Sequence, residues 1–462
     1  MARAEVRSLR AYIENASSER FLWDRAGRAQ INELARGTSL GGRAAELAGR
    51  SVLLAAASQL TTALALIELD GLARRITILP PDAASNDLAA VLTAAEVDAV
   101  VIDRDSPEHE AFASRLRLVC TPSIAPMAEL PAAQLRTEWV LLTSGTTGAP
   151  KLVVHSLAGL SAAFRDKKPD DSTVWGTFYD IRRYGGLQIF LRAALGGTSL
   201  VLSSAGEPIG AHLDRLAQHG VTHLLGTPTH WRQALMSQEI QKISPRYVRL
   251  SGEIADQAVL DNLRKTFPQA TVSHAFASTE AGVAFEVSDG MAGFPASFLT
   301  ACRDGVEMKV ADGSLRIRSP RTASRYLSAE PAALLDRDGF VDTGDMVEPR
   351  GDRYVFVGRN GGVINVGGLK VHPEEVEAVI NEHPQVRMSL VRSKRNPITG
   401  SVVIADVVLR PERGAANGEL EIRNDILDRC RGALPRHKVP AAISFVPSLP
   451  VATTGKLSRR HG

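Results

Sequence analysis

Apolar and polar positions alternate in blocks along the first half of the chain. SVLLAAAS (51–58) is a short apolar run of strand length, and QLTTALALIEL after it has the length of a helix. RITILP predicts a strand, NDLAAVLTAAE a helix and DAVVID another strand. Strand-length runs separated by helices of roughly 10–15 residues predict a parallel, doubly wound sheet. The same rhythm returns in HLDRLAQHG before THLLG, and in DQAVLDNLRKTF before ATVSHAF.

Near residue 300 the period changes. VEMKVADGSLRIRS is two alternating runs about Asp312-Gly313, a hairpin signal, and DGFVDTGDMVEPRGDRYVFVG repeats it about Arg350-Gly351-Asp352. After Gly358 a third texture begins. VINVGGLKV precedes a helix opening at Pro373-Glu374-Glu375, where proline suits the first turn and the acids suit the helix dipole. RMSLVRS and SVVIADVVLR predict strands, ELEIRNDILDRCRGAL a helix and AAISFV a last strand. The expectation is an α/β protein. A large domain over 1–357 carries doubly wound sheets and a β-rich end, and a small mobile α+β domain covers 358–462. The hinge is expected in GRNGG, residues 358–362.

Composition changes this picture little. With 462 residues, more than one domain is expected; 44% hydrophobic and 23% charged residues suit a globular protein. No apolar run reaches the roughly 18 residues of a membrane span, and the first twenty residues are charged throughout, without the apolar core of a secretory leader. Cys120, Cys302 and Cys430 are far apart and make neither a disulfide framework nor a metal site. A reducing cytoplasm is the expected setting. The histidines lack metal-ligand spacing such as H-E-x-x-H. No basic-aromatic stretch suggests nucleic acid. Charge is uneven: from Gly358 onward there are 16 Lys and Arg against 10 Asp and Glu, and before it 38 against 41. A basic C-terminal part suits an anionic ligand or an acidic partner, or is simply a solvated surface.

The chemistry concentrates in LLTSGTTGAPK (141–151). Thr143, Ser144, Gly145, Thr146, Thr147 and Gly148 offer hydroxyls and unhindered backbone N–H groups, and Lys151 adds a compact cation, as a phosphate cradle requires. The spacing is not that of a P-loop, because Pro150 stands five residues after Gly145 and a β-like segment follows. Taken alone, such a stretch is more often a plain polar turn.

The phrase TSGTTGAPK resembles the phosphate loop of the adenylate-forming superfamily, which includes acyl-CoA synthetases, aryl-CoA ligases, peptide-synthetase adenylation domains and luciferases. Five further motifs follow in order. HAFASTEAGVAF (274–285) resembles its aromatic-Gly-x-Thr-Glu motif, with Phe276, Ala277 in place of the glycine, Ser278, Thr279 and Glu280. DGFVDTGD is similar to its Thr-Gly-Asp signature, with Asp345, and Gly358-Arg359 to the pair that opens its C-terminal domain. VGGLKVHPEEVE resembles its glycine-rich strand, and PVATTGKLSRR its lysine motif, with Lys456.

The resemblance implies two half-reactions. A carboxylate attacks the α-phosphorus of ATP, giving an acyl-adenylate and pyrophosphate; a thiol, of CoA or of a carrier protein's phosphopantetheine, then displaces AMP. It implies that residues 143–151 hold phosphates, Glu280 holds Mg²⁺, Thr279 bonds a phosphate oxygen, Asp345 accepts the ribose hydroxyls, Arg359 contacts the ribose, and Lys456 bridges the α-phosphate and the carboxylate. It implies a C-terminal domain that rotates about Gly361, where relatives commonly have Asp or Lys, so that Gly367 and Gly368 line a thiol tunnel. Read singly, each residue has a plainer role: Glu280 a helix-start acid, Thr279 its cap, Asp345 a turn residue, Lys456 surface charge, Gly367-Gly368 a tight turn. His155 is at most a support for the phosphate site.

The acyl pocket is expected around Asp180, Arg182, Tyr184, Gly252 and Glu253. Those charges suit a polar or amino-bearing acid, or else serve to hold their loops. The expected activity is an ATP- and Mg²⁺-dependent acid–thiol ligase acting on a fatty or other small organic acid, most similar to the acyl-CoA synthetase branch. The alternatives are a stand-alone enzyme loading an acidic carrier protein in trans, and a non-catalytic nucleotide-binding relative.

Overall fold

The computed structural model describes residues 7–14, 16–17, 19–83, 87–104, 112, 114–143, 150–164, 172–327, 333–396, 400–410, 418–452 and 454–459. Two large sheets form the first part. The seven-stranded one runs, edge to edge, Arg325–Leu327, Lys151–Ser156, Glu138–Thr143, Arg75–Ile78, Ser51–Leu54, Ala99–Ile102 and Leu116–Val119. Its last five strands are parallel, and Lys151–Ser156 is antiparallel to both of its neighbours. The eight-stranded sheet runs Gly282–Val287, Thr271–Ser278, Tyr247–Ser251, His223–Gly226, Val174–Thr177, Ser199–Val201, Phe21–Trp23 and Arg28–Gln30.

Every residue of the helix Gln59–Leu69 is buried, as its all-round apolar sequence requires. It shares one core with the helix Tyr184–Gly196, with Val52 and Ile76 from one sheet and Leu22 and Leu200 from the other. The strand expected over 51–58 ends at Leu54. The chain turns there because Ser58 caps the helix, its Oγ accepting from Leu60 N at 3.0 Å. The Asp103 carboxylate meanwhile takes the N–H groups of Ala57 and Ser58. The N-cap bond outweighs the β propensity of the run.

A five-stranded antiparallel sheet follows: Phe294–Pro295, Arg353–Arg359, Val341–Arg350, Ser314–Arg318 and Glu307–Ala311. Its Asp312-Gly313 turn has both residues at positive φ (53° and 75°), the geometry of a two-residue hairpin loop. Its strand Arg353–Arg359 runs two residues past Val357. An exposed turn at Asn360–Gly362 leads into a separate core built on Ile364, Val371, Val376, Val391, Ala405, Ile426 and Ile443. This smaller unit has the hairpin Ile364–Val366 with Leu369–Val371, the helices Pro373–Asn381 and Glu419–Ala433, and a three-stranded sheet. Cys120 and Cys430 are buried and Cys302 is exposed. Among the described residues no helix is long and apolar enough to cross a membrane.

Candidate active site

The C-terminal ends of the eight-stranded sheet are joined to an edge of the seven-stranded sheet by His155 and Thr279, to the five-stranded sheet by Phe276 and Phe356, and to the last residues of the chain by Thr227 and Glu253. Ligands of open α/β sheets bind at this end of the strands. Thr143 and Lys151 are register partners on adjacent antiparallel strands. Lys151 is exposed, its Nζ 5.3 Å from the centre of the Tyr326 ring. Ser144, Gly145, Thr146, Thr147 and Gly148 lie outside the described residues.

Thr279 and Glu280 form the turn between the antiparallel strands Thr271–Ser278 and Gly282–Val287. No helix starts here, so the plainer roles of helix-start acid and cap do not apply. Three bonds fix the turn. Ser278 Oγ accepts from Ala281 N at 3.0 Å, Glu280 O accepts from Ala323 N at 2.8 Å, and His155 Nε2 lies 2.8 Å from Thr279 O. Burial lowers the His155 pKa to about 4, so the ring is neutral and Nε2–H donates. The pairing register shifts between Phe276 and Ala277; such bulges re-aim side chains beside sites. Phe276 stacks on Phe356, 5.2 Å between centres, joining this motif to the five-stranded sheet. The Glu280 carboxylate has neither an ion pair nor a hydrogen bond among the described residues, and its charge helps to raise the Tyr326 phenol to about 12, after burial.

Asp345 lies 3.2 Å from Arg359. Burial raises its carboxyl to about 6, against the pull of Arg359 and Lys456. Lys456 sits in a tight loop closed by Gly455 N to Ala452 O and Ala452 N to Lys456 O, both 2.8 Å. The charges of Glu253, Arg359, Asp345 and Arg183 act on its ammonium, while the residue stays open to solvent. Burial lowers its pKa first; Glu253 raises it again.

The loop is held by the large unit. Thr227 Oγ1 donates to Gly455 O at 2.7 Å. Glu253 accepts from Leu457 N at 3.1 Å, from Thr229 N at 2.9 Å and from Thr229 Oγ1 at 3.0 Å. A Cβ on Gly252, whose φ is +88°, would lie 3.4 Å from Lys456 Cε. On Gly455 it would lie 1.9 Å from the His230 ring, so only glycine fits this docked loop. Asn381 Nδ2 to Asp256 at 3.2 Å adds a further bond between the units.

Asp180 and Arg182 pair with each other, at 2.8 and 2.6 Å, and Arg182 Nη1 donates to the carbonyls of Ala56 and Ala57. They tie the segment before the helix Tyr184–Gly196 to the end of the strand Ser51–Leu54. Tyr184 is buried, its ring 5.8 Å from that of His155. Gly361 is exposed in its turn, with open space where a Cβ would stand. Gly367 and Gly368 form the exposed tip of a hairpin. Sequence reasoning missed Tyr326, Thr227, Thr229 and His230. Nothing local marks them, since each acts through a partner distant in sequence.

This cleft between a large nucleotide-type α/β unit and a small docked domain defines the class, and the sequence agrees. The chain belongs to the AMP-binding enzyme family, whose profile matches residues 57–327, more than half of it; the AMP-binding enzyme C-terminal domain matches 375–456. It is 28% identical over 347 residues to the mitochondrial acyl-coenzyme A synthetase ACSM4 of Rattus norvegicus, covering 69% of this chain and 59% of that protein. It is 29% identical over 361 residues to the probable acyl-activating enzyme 8 of Arabidopsis thaliana, covering 70% and 64%. The chain thus spans about three fifths of the length of the curated relatives it matches. The fold is shared with a benzoate CoA ligase from Burkholderia xenovorans LB400, at a TM-score of 0.78, 20% identity, and 98% and 99% coverage of the two chains.

Proposed function

We propose that the protein activates a carboxylic acid with ATP to an acyl-adenylate and transfers the acyl group to the thiol of CoA. The observation that carries this reading is the docking of the Lys456 loop on Thr227, Gly252 and Glu253 at the strand ends, where the charges of Lys456 and of the Asp345–Arg359 pair act on one another. No single motif requires that convergence, and the chemistry requires all of it.

In the first step Lys456 neutralises charge developing between the α-phosphate and the incoming carboxylate, a role for a preorganised cation in a confined site. Asp345 accepts the ribose hydroxyls and Arg359 contacts the same ribose, while the 143–151 segment and Thr279 hold the phosphates. The Glu280 carboxylate, free of any competing cation among the described residues, fits a Mg²⁺ ion, which takes one carboxylate with phosphate oxygens and water. That ion would neutralise phosphate charge. His155 keeps Glu280 in place through the Thr279 carbonyl. In the second step the small domain turns about Gly361. Lys456 then withdraws, and the Gly367-Gly368 tip reaches the cleft to admit the thiol arm. Hinge alternation of this kind lets one cleft serve two reactions.

The test is incubation with ATP, Mg²⁺ and a panel of carboxylic and amino acids, with and without CoA, read by mass spectrometry. An acyl-CoA is expected. An acyl-adenylate that persists despite CoA points instead to a carrier protein, which the basic C-terminal part would suit. Absence of any adenylate with every acid overturns the reading.

A further inference from the structure

The loop that holds the lysine segment carries a second acid, set at the same spacing as its partners. Glu253 and Asp256 lie three residues apart between the strand Tyr247–Ser251 and the helix Gln257–Thr266. The helix Pro228–Ala234 offers them Thr229 and Arg232, also three apart and so on one face. Glu253 takes Thr229, and Asp256 pairs with Arg232. Each acid also accepts one bond from the small domain. Glu253 accepts from Leu457 N at 3.1 Å, and Asp256 Oδ2 accepts from Asn381 Nδ2 at 3.2 Å.

Both ends of the second bond are held within their own domains. Asp256 Oδ1 caps the helix Gln257–Thr266, accepting from Val259 N at 3.0 Å, while Oδ2 holds Arg232. Asn381 is the last residue of the helix Pro373–Asn381. Its Oδ1 accepts from the buried Ser389 hydroxyl at 2.9 Å, which turns Nδ2 toward Asp256. The Asp256 side chain is 12% exposed and Asn381 8%, so little water competes for the bond. The helix carries this contact on to the lysine loop. Glu377, four residues before Asn381 and on the same face, takes the fork of Arg459 at 2.8 and 2.6 Å, three residues past Lys456. One docking contact would let the small domain pivot. Two contacts joined through a helix fix its orientation.

We propose that Asp256 and Asn381 form a second latch, which sets the orientation in which the small domain docks and so positions Lys456 for adenylation. Both act through Lys456 and are positioning residues. The catalytic consequence rests on the ligase reading; the latch itself does not.

The Leu457 amide donates to Glu253 across the domain boundary, so its hydrogen exchange in the ligand-free protein reports undocking. Asp256→Asn keeps a helix cap but turns an amide N–H toward Asn381, and Asn381→Asp sets a second carboxylate against Asp256. Each should speed Leu457 exchange and slow ATP–pyrophosphate exchange by about tenfold, as loss of a hydrogen bond to a charged group does. Thioester formation from supplied acyl-adenylate should change less than about threefold, because the domain is then undocked. The two substitutions together exchange donor for acceptor and should return both readouts to within about threefold of the native protein, a rescue that a merely structural role does not give. Asn381→Ala, which leaves Asp256 its cap and its arginine, should match the single variants and covers the case in which Asp256→Asn fails to fold. Unchanged Leu457 exchange in Asn381→Ala, a folded double variant no better than the singles, or equal loss of both half-reactions overturns the latch. The expected Leu457 exchange in a protein that forms no adenylate with any acid overturns the ligase reading alone. Unchanged exchange together with no adenylate overturns both.

Discussion

Glu253 is the residue whose loss should divide the two half-reactions most cleanly. Its carboxylate holds Thr229 within the large unit and Leu457 N in the lysine loop. Only the last bond depends on the docked position of the small domain. A hydrogen bond to a charged group contributes about 1.5–3 kcal/mol, so Glu253→Ala should weaken docking of Lys456 by that amount. At 1.36 kcal/mol per decade, adenylation should fall about 10- to 150-fold. A second effect has a definite sign. Glu253 is the largest influence raising the Lys456 pKa against its burial. Without it the lysine loses its proton at lower pH, and the alkaline limb of adenylation moves toward neutrality. The assay is acid-dependent ATP–pyrophosphate exchange from pH 6 to 10, beside thioester formation from synthetic acyl-adenylate and CoA. The second reaction should change less than about threefold, since the proposed turn of the domain would already break the bond to Leu457. Equal losses in both assays, or an unchanged exchange rate, would refute Glu253 as a positioning residue for Lys456.

Lys456→Ala should cost adenylation roughly 10²–10³-fold, as loss of one preorganised charge-stabilising donor does, while thioester formation from supplied adenylate persists. Gly361→Pro, at an exposed turn with open space around a Cβ, should spare pyrophosphate exchange and abolish thioester formation by stiffening the hinge; equal loss of both would count against the hinge. Gly455→Ala, whose methyl group meets His230, should abolish exchange while the thermal unfolding midpoint of the large unit moves by less than about 2 °C, checked by calorimetry. His155 titrates near 4 when folded against about 6.5 unfolded. The unfolded chain therefore binds the extra proton between these values, and stability falls as pH drops from 6.5 to 4. Urea melts of His155→Gln across this window should show a flatter pH dependence than the native protein.

The order of strands and helices was legible in the sequence because burial on two faces imposes long apolar blocks. Gln59–Leu69 and Ala99–Ile102 are the plainest cases. The motifs were legible for a different reason: phosphate, ribose and carboxylate chemistry restricts each to a few residue types. What the sequence could not carry was distance. Glu253 read as a pocket residue, and only the fold shows its carboxylate spanning from Thr229 to Leu457, 204 positions away in the chain. Asp180 read either as a pocket charge or as a residue holding its loop, and its pairing with Arg182 depends on how one loop crosses the end of another strand. Asp256 and Asn381 carried no signal at all, because an acid just before a helix reads as an ordinary cap and an amide at a helix end as an ordinary terminus. Their meeting follows from the docking of one domain on the other. The sequence by itself determined the class of chemistry. The tertiary structure decided which charges meet, because pairing energies depend on separations that only the folded chain sets.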